Sequence, residues 1–360
     1  MIHVFIGTKA QLIKMAPIMK EMQNRGIEYN FIFSGQHQNT INDIRKNFGI
    51  KKPDYILHNG KDVTSVASMF FWMMKIVFIA IKNKKMVWKD DINGVVLNHG
   101  DTFSTLLGSI LAKLFRFKNA HVESGLRSFN LFHPFPEELT RLIVFRLSDI
   151  FFVPGSWALS NIENFSGEKI NIEANTLYDS LNNILIKEQE IDIKVPQCDF
   201  AVVSLHRFEN LSKKTHFESL ITKLERISKS INLIFILHKP TEKKLREFAL
   251  YERLNNADGI ELRPRYDYET FIFLISLAKF VVSDGGSNQE ECYYLGKPCL
   301  LFRNATERKE GLGENVLLSK FDDDVIDNFV SSYHDFKRDS LKLDFSPTDK
   351  IIDYLTSSHF

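Results

Sequence analysis

Two α/β domains, each built on a parallel sheet, are the fold that this sequence predicts. Apolar runs of four to eight residues alternate with stretches of helical period along the chain, as in sheets that carry helices on both faces. The 360 residues are enough for two cores of ordinary size. The pattern weakens at 167–199 and then starts again, which indicates a boundary between two similar halves.

Short apolar runs rich in β-branched and aromatic residues mark the strands, and polar stretches of helical period follow them. The predicted strands are 3–6, 29–34, 94–98, 120–122, 150–153, 200–204, 233–237, 280–283 and 298–302. The predicted helices are 11–25, 102–114, 138–147, 217–227, 268–277 and 349–354. We therefore expect a first domain at 1–170, a second at 171–345, and a C-terminal helix at 346–360 that packs back on the first domain.

Composition narrows the class of protein. Lys and Arg total 46 against 45 Asp and Glu, so no overall field favours nucleic acid, and any anion must bind at a local site. The N-terminus starts directly as a strand, without the features of a signal peptide. The three cysteines, Cys198, Cys292 and Cys299, are scattered and odd in number. We expect a cytoplasmic protein with reduced cysteines in its core.

An apolar segment at 66–81, VASMFFWMMKIVFIAI, suggests contact with a membrane. It has 16 residues and contains Lys75, whereas a spanning helix needs about 20 apolar residues. One interpretation is a helix that is buried or that faces a second copy of the chain. The other is peripheral contact with a membrane surface, helped by Lys82, Lys84 and Lys85.

Acidic side chains follow three apolar runs of the first half. They are Asp101 in HGDT, Glu123 in HVESGLR, and the adjacent Glu137 and Glu138 in HPFPEELTR. Carboxylates seldom stand beside buried strands unless a hydrogen bond or chemistry holds them there. The carboxyl ends of parallel strands open into the ligand crevice, where burial and like charges can raise a carboxyl pKa toward neutrality. We predict proton-transfer chemistry at this edge.

A loop at 284–291, DGGSNQEE, follows an apolar run of the second half and opens a helix. Gly285 and Gly286 let a phosphate approach the backbone, the helix N-terminus provides amides, and Ser287 can add a hydroxyl. Glu290 and Glu291 suit the hydroxyls of a ribose better than a phosphate. The loop predicts a nucleotide-diphosphate site; the alternative is an ordinary capped helix with an acidic first turn.

Several basic groups are candidates for binding an anion. Lys9 follows the first strand and Lys14 lies in the next helix, so this turn either binds an anion or is an ordinary tight turn. Candidates in the second half for phosphate binding or proton transfer are His206, Arg207, His238 and Arg308. A histidine that ends a strand can also be a core or capping residue. The close spacing of metal ligands is absent, so no metal or cofactor is predicted.

These segments resemble the UDP-N-acetylglucosamine 2-epimerase family, and the resemblance covers nearly all of the chain. The matching segments are GTKAQLIKMAP, SGQH, PDYIL, HGDT, HVESGLRS, PFPEELTR, NTLYDSL, LHRFEN, DGGSNQEE, LGKP and ATERKE. The resemblance implies a GT-B-like fold of two Rossmann-like domains, an active site in the interdomain cleft, UDP held mainly by the second domain, and a homodimer. It also implies that UDP leaves C1 while C2 loses a proton, giving a 2-acetamidoglucal to which UDP adds back after protonation on the opposite face.

The resemblance also assigns roles by position. The residues that match the family's acid/base groups are Asp101, Glu123, Glu137 and His206. The residues implied to bind the UDP-sugar are Lys9, Lys14, Gln36, His37, Arg127, Arg207, His238, Phe271, Gly285, Gly286, Ser287, Glu291 and Arg308, with Phe271 near the uracil. Which carboxylate takes the proton stays open at this point.

The chain departs from the family pattern in three places. Lys9-Ala10-Gln11 stands where the family usually has Arg-Pro-Glu, and Gly285 stands where it has a serine. The bacterial relatives hold a second UDP-sugar with a Gln-His pair and a later arginine. Gln36 and His37 are kept, but no arginine occurs between Arg45 and Arg116, which argues against allosteric activation by substrate.

Four functions stay in view. The leading one is a UDP-N-acetylhexosamine 2-epimerase that supplies cell-surface polysaccharide synthesis. A hydrolysing epimerase would release free N-acetylmannosamine and UDP, a GT-B glycosyltransferase would pass the sugar to an acceptor, and a sensor would bind without turnover. A transferase needs only one base, so the presence of all four acid/base positions argues against it. The sugar also stays open, because LHRFEN and GLRSFN are similar to the branch acting on 2,3-diacetamido uronic acids.

Overall fold

The computed structural model describes residues 1–36, 41–60, 66–131, 135–185 and 193–357. These residues form two compact units. The first unit comprises Met1–Ser180 and Asp344–Phe360, and the second comprises Leu181–Leu343. Each unit has its own sheet and its own buried core.

The strands, in chain order, are β1 (Ile2–Ile6), β2 (Tyr29–Phe33), β3 (Tyr55–Ile56), β4 (Val95–His99), β5 (Lys118–Val122), β6 (Ile150–Val153), β7 (Glu168–Asn171), β8 (Phe200–Ser204), β9 (Asn232–Leu237), β10 (Ile260–Pro264), β11 (Val281–Ser283), β12 (Cys299–Leu301) and β13 (Val316–Leu318). The first seven belong to the first unit and the rest to the second.

The helices are α1 (Lys9–Asn24), α2 (Ile41–Asn47), α3 (Val66–Lys82), α4 (Lys84–Trp88), α5 (Phe103–Leu114), α6 (Glu137–Leu147), α7 (Ser156–Ser160), α8 (Leu177–Leu185), α9 (Phe208–Leu211), α10 (Lys214–Ile227), α11 (Lys239–Glu247), α12 (Tyr251–Asn255), α13 (Tyr268–Leu277), α14 (Gly286–Leu295), α15 (Asp323–Ser332) and α16 (Pro347–Thr356). A short 3₁₀ helix, Tyr333–Phe336, follows α15.

A parallel seven-stranded sheet forms the centre of the first unit, in the order β3-β2-β1-β4-β5-β6-β7. Its inner strands are buried along almost their whole length, which explains why they are continuous apolar runs and not alternating ones. The second unit has a parallel six-stranded sheet in the order β10-β9-β8-β11-β12-β13. The predicted α/β class with parallel sheets is therefore confirmed.

All nine predicted strands are present, and the four that the sequence did not reveal are β3, β7, β10 and β13. Those four are the edges of the two sheets. An edge strand is covered less completely than a central one, so its side chains need not be apolar. The segment at 167–199, expected to be a weakly patterned boundary, contains β7 and α8; β7 reads Glu-Lys-Ile-Asn and is half-exposed.

The C-terminal helix α16 is part of the first unit and contacts α1. Ile351, Ile352 and Leu355 bury its inner face. Arg25, at the end of α1, donates hydrogen bonds to Asp349 and Asp353 of α16. The helix thus completes the packing around the face of the first sheet that α1 covers.

Helix α3 is buried on one face only, so its outer face remains for either of the two predicted contacts, a second copy of the chain or a membrane surface. Trp72, Ile76 and Ala80 are at most 4 % exposed and pack in the core. Phe71 and Phe78 are 72 % and 67 % exposed. No helix in the described ranges is both long and apolar enough to cross a bilayer.

The cysteines were expected in the core, and this is wrong for Cys198. Cys292 and Cys299 are buried, whereas Cys198 is exposed. Cys198 lies in the turn before β8, outside the apolar run that starts at Phe200.

Candidate active site

Glu123 follows β5, in the sequence Glu-Ser-Gly at the carboxyl edge of the first sheet. Its backbone has φ 61°, in the left-handed region that non-glycine residues seldom adopt, and Gly125 after it has φ 91°. This conformation turns the chain sharply away from the sheet. Strained backbone of this kind is concentrated at functional sites, where the surrounding structure holds it in place.

Two cationic or polar groups hold the Glu123 carboxylate. Lys14 Nζ of α1 donates to Glu123 Oε1 over 2.7 Å, and His99 Nε2, at the end of β4, lies 3.1 Å from Oε2. The three side chains are each 4 % exposed. A buried carboxylate needs such partners, because the loss of water would otherwise favour its neutral form.

Asp101 follows β4 and is held by Arg141 of α6. Arg141 places Nε 2.9 Å and Nη2 2.6 Å from the same oxygen of Asp101, and its Nη1 donates to Glu138 over 3.2 Å. The Asp101 side chain keeps 27 % of its surface exposed, unlike that of Glu123. Asp101 therefore combines a fixed orientation with access from solvent.

The adjacent Glu137 and Glu138 have different environments. Glu138 is fully buried and accepts hydrogen bonds from Arg127 and from the Ser128 amide. Burial alone would raise the pKa of Glu138, but the Ser128 amide and Arg127 lower it below its usual value. Glu137 is the first residue of α6 and is half-buried. Glu138 thus supports the loop at 127–128, and Glu137 is the better placed of the two to meet a ligand.

His121 is a site residue that the sequence analysis missed. It lies on β5 two positions before Glu123, donates from Nε2 to the Gly100 carbonyl over 2.7 Å, and accepts at Nδ1 from Ser124 Oγ over 2.9 Å. Burial lowers its pKa to about 4, so the ring is neutral at pH 7. Its place in the buried strand β5, two positions before Glu123, was a signal for it, because a buried polar side chain needs partners or a function to hold it there.

These groups border one small hollow in the first unit. Its lining residues are Gly100, Asp101, His121, Glu123, Leu126, Arg141 and Phe145. Two of the predicted carboxylates, Asp101 and Glu123, therefore meet at one place. His206 belongs to the second unit.

Gln11 uses both ends of its side-chain amide in the turn after β1. Its Oε1 accepts the amides of Gly7 and Thr8 over 3.0 Å and 3.1 Å. Its Nε2 donates to the His99 carbonyl over 2.8 Å and to Thr105 Oγ1 over 2.9 Å. A carboxylate could not donate these last two bonds. Gln11 thus fixes the turn between β1 and α1.

The remaining predicted residues of the first unit have varied surroundings. Lys9 is the first residue of α1 and is half-buried. Gln36 is buried and accepts from the amide and hydroxyl of Ser104, at 3.1 Å and 2.7 Å. Arg127 lies over the ring of Phe129, 4.6 Å from its centroid. His37 lies outside the described residues.

Asp284 organises the carboxyl edge of the second sheet and was not among the predicted site residues. It is fully buried and accepts the amides of His206 and Arg207, each at 3.0 Å, and the side-chain amide of Asn210, also at 3.0 Å. The loop after β8 is thereby tied to the loop after β11. The identity of these partners could not be inferred from the sequence, because they are more than 70 positions away.

The structure brings His206 and His238 together. Their rings are stacked, with centroids 4.5 Å apart and planes inclined by 27°. Ser204 Oγ lies 3.2 Å from His238 Nε2. Burial lowers the pKa of His206, although the nearby Asp284 acts in the opposite direction, and 37 % of the His206 side chain stays exposed. The pair offers imidazole nitrogens at the same edge as the glycine loop.

The glycines at the start of α14 are required by close neighbours. A Cβ at Gly285 would lie 2.8 Å from Asn288 Oδ1 and 3.0 Å from His206 Cε1. A Cβ at Gly286 would lie 3.2 Å from Arg308 Nε. Because they carry no Cβ, their backbone can lie directly beside an imidazole and a guanidinium, as a phosphate site requires. Ser287, the second residue of α14, is half-buried.

The two acidic residues of α14 are engaged differently. Glu290 is fully buried and lies 3.0 Å from Arg308 Nη1, so it holds the guanidinium near Gly286. Glu291 accepts from Asn288 Nδ2 over 2.7 Å. Burial raises the pKa of Tyr268 well above its usual value, and Glu291 adds to the shift. Glu290 thus supports Arg308, and Glu291 is held in a fixed orientation.

A second ion-pair cluster lies beside this loop. Arg303 lies 3.1 Å and Arg207 3.6 Å from Glu307. Burial alone would raise the pKa of Glu307, but the arginines around it lower it to about 2. The carboxylate stays charged and keeps Arg207 close to His206. Phe271, the remaining predicted residue, is half-buried on α13.

Comparison with known proteins identifies the family. A family model described as UDP-N-acetylglucosamine 2-epimerase matches residues 20–345. The chain belongs to this family. It is 32 % identical over 329 residues to a UDP-N-acetylglucosamine 2-epimerase of Methanococcus maripaludis, covering 87 % of this chain and 86 % of that protein. The predicted family is confirmed.

Solved structures of relatives agree with the fold. The UDP-GlcNAc 2-epimerase of Methanocaldococcus jannaschii, crystallised with UDP-GlcNAc and UDP, has a TM-score of 0.82 at 24 % identity and covers 99 % of both chains. The enzyme from Neisseria meningitidis bound to UDP-GlcNAc has a TM-score of 0.81 at 25 % identity, covering 98 % of this chain and 99 % of that one. The GT-B-like fold class is confirmed. The roles of individual residues and the cleft location of the site remain predictions.

No cluster of three or more His, Cys, Asp or Glu side chains placed to hold a metal ion was found among the described residues. The acid/base and anion-binding candidates above are all ordinary side chains and backbone amides.

Proposed function

We propose that this protein interconverts UDP-N-acetylglucosamine and its C2 epimer, UDP-N-acetylmannosamine. Membership of the 2-epimerase family supports this, and so do relatives named for that reaction. The observation that carries the proposal is the hollow that contains Asp101 and Glu123, each fixed by a cation from a neighbouring helix. Carboxylates held in this way can accept and return the proton of a C–H bond beside the departing UDP.

The proposed reaction has two balanced steps. A carboxylate takes the C2 proton while the C1–O bond to UDP breaks, so the electron pair of the C2–H bond forms the C1=C2 double bond of a 2-acetamidoglucal. UDP then adds back to C1 after a proton is delivered to the other face of C2. Two faces require two proton-transferring groups. Asp101 and Glu123 lie at one hollow and Glu137 at the start of α6, which supplies enough groups for both faces.

The second unit is proposed to hold the diphosphate. The first amides of α14, beginning at Gly286, have no partner within the helix and point to its N-terminal end. Arg308 and the stacked histidines His206 and His238 add donors for the negative charge that develops on the leaving UDP. Glu291, fixed by Asn288, is proposed to accept from the ribose hydroxyls.

The test is proton exchange at C2. The purified protein is incubated with UDP-GlcNAc in deuterated water and followed by proton NMR. We expect loss of the C2 proton signal together with the appearance of UDP-ManNAc. Free N-acetylmannosamine and UDP as final products would show the hydrolysing reaction, and transfer to an acceptor without exchange at C2 would show a glycosyltransferase. A panel that includes 2,3-diacetamido UDP-sugars tests the sugar at the same time.

We also propose that the protein acts in the cytoplasm as a homodimer, supplying a precursor of cell-surface polysaccharide. The family resemblance supports this setting. Sedimentation velocity of the purified chain checks the dimer, since a particle mass twice that of the 41.8 kDa chain is expected. A monomer that is fully active would contradict it.

A further inference from the structure

The outer face of α3 is a large apolar surface that the fold leaves uncovered. Its exposed side chains, each more than half accessible, are Phe70 at 62 %, Phe71 at 72 %, Met74 at 59 %, Phe78 at 67 % and Ile81 at 52 %. At 100° per residue they occupy an arc of about 100° on the helix. We call these five residues the α3 face. Single exposed apolar residues are common, but a contiguous set on one helix marks an interaction site.

The opposite side of α3 anchors the helix to the first unit. Trp72, Ile76 and Ala80 are buried in a core cluster with α5 and the sheet. The helix is therefore an integral part of the unit and stays attached along its length. Only its outer side is available to another surface.

Lysines are the only charged residues of α3 and α4. Residues 66–88 contain no Asp or Glu, and Lys75, Lys82, Lys84 and Lys85 are all exposed. On the helix, Lys75 and Lys82 fall directly beside the α3 face, where their long stems can extend along apolar surface. Lys84 and Lys85 follow at its C-terminal end. The apolar arc thus has a border of one charge sign.

This combination favours an anionic bilayer surface over a second copy of the chain. In a two-fold dimer the same face meets itself, and segment 66–88 offers no acidic residue that could pair with the lysines of the other copy. An interface helix on a bilayer needs what is present here, with aromatic and aliphatic residues on one face and lysines at its border.

We propose that the α3 face docks on the surface of a membrane rich in anionic lipid, with α3 parallel to the bilayer plane. The aromatic and aliphatic side chains enter the boundary between headgroups and acyl chains, and the lysines contact lipid phosphates. The docking is independent of the reaction chemistry proposed above. Docking would keep the UDP-sugar site close to a membrane where the product of the reaction can be used.

Vesicle flotation of the full-length protein tests this inference. We expect the protein to float with vesicles that contain about 30 % phosphatidylglycerol, to stay behind with pure phosphatidylcholine, and to be released by high salt. The double variant Phe71→Ser/Phe78→Ser should bind at least about tenfold more weakly, because two large apolar groups no longer enter the bilayer. Leu277→Ser, which changes a 43 % exposed leucine in the second unit, is the matched control and should float like the parent protein.

A second variant keeps the apolar residues and tests the contribution of the lysine charges alone. Lys82→Gln/Lys84→Gln/Lys85→Gln should lower binding about 100-fold, since each lysine near an anionic surface contributes roughly fivefold. All variants should retain epimerase turnover in solution, which shows that they are folded. Failure of the parent protein to float with anionic vesicles would overturn the inference. If the parent protein does not bind vesicles and the Phe71→Ser/Phe78→Ser variant sediments at monomer mass, the inference is also overturned, because a second copy of the chain then occupies the α3 face.

Discussion

Carboxylates held by cations form the candidate site of the first unit, whereas cations held by carboxylates form that of the second. In the first, Lys14 and Arg141 fix Glu123 and Asp101. In the second, Glu290 fixes Arg308 at the helix that begins at Gly286. The same kind of ion pair therefore presents opposite charges, according to which member faces the ligand. This difference suits a proton acceptor in one unit and a diphosphate site in the other.

The largest test of this comparison is Glu123→Gln. The amide keeps the shape of the side chain but cannot take up a proton, so we expect kcat to fall about 100- to 10,000-fold. UDP binding, which we assign mainly to the second unit, should change little in calorimetry. Glu173→Gln, an exposed carboxylate of the same unit, is the control and should keep full activity. A Glu123 variant with nearly normal turnover would remove this residue from the proposed chemistry.

Replacing Arg308, the cation of the second unit, should mainly affect UDP binding, the reverse of what we expect for Glu123→Gln. Arg308→Met is expected to weaken UDP binding about 10- to 100-fold, since a hydrogen bond to a charged group is worth roughly 1.5–3 kcal/mol. Arg246→Met, on the surface of α11 with 55 % exposure, is the control.

The change also leaves Glu290 without this arginine, and a second variant separates the two effects. Glu290→Gln/Arg308→Met removes both charges. If its UDP affinity returns to normal, the loss in the single variant came from the buried carboxylate, and the direct contact with phosphate is contradicted. If affinity stays low, Arg308 meets the ligand.

Acid should weaken the first unit through its buried histidines. Burial lowers the pKa of His3 and of His121 to about 4 each, below the ordinary value of 6.5. As the pH falls, these two histidines therefore take up protons in the unfolded chain before they do so in the folded one. Their contribution to the free energy of unfolding is fully present above about pH 6.5 and declines as the pH falls toward 4. Between pH 7 and 5 we expect a loss of about 2 kcal/mol per histidine in the free energy of unfolding, measured with urea. A His121→Asn variant should show a shallower pH dependence; an unchanged slope would contradict the assignment.

The smallest effect concerns orientation of a carboxylate and not its charge. Asn288 donates to Glu291 and accepts from Ser283 Oγ over 2.8 Å. Asn288→Leu removes both bonds and should raise KM for the UDP-sugar roughly two- to tenfold while kcat stays within twofold. Steady-state kinetics measures the split. An equal fall in kcat would show that Asn288 acts on the reaction step instead of on ribose binding.

Central strands and edge strands show what the sequence could predict of the fold. The nine predicted strands are the inner ones, because burial on both faces demands unbroken apolar runs. The missed strands β3, β7, β10 and β13 are the sheet edges, where exposed residues such as Glu168 are tolerated. The apolar pattern therefore predicts the strands that are completely buried and does not predict those that are only partly buried.

The candidate site likewise has residues that the sequence predicts and residues whose role depends on the folded chain. Asp101 and Glu123 could be predicted because a carboxylate directly after an apolar strand is energetically unfavourable unless a hydrogen bond or a chemical role holds it there. Asp284 also follows a strand, but its partners His206 and Arg207 lie 78 and 77 positions away, so its supporting role depends on contacts that only the folded chain defines. The distinction between Glu137 and Glu138 likewise depends on Arg127 and Arg141, which no spacing rule specifies.

Helix α16 has a consequence for biosynthesis. The first unit is complete only when residues 344–357 reach α1, yet the whole second unit is translated before them. While the ribosome is still making the second sheet, the apolar groove beside α1 that later receives Ile351 and Leu355 has no occupant. A chaperone that recognises apolar surface therefore has a defined time to bind there. Premature termination shortly before residue 344 would leave that groove permanently open and direct the product to proteolysis.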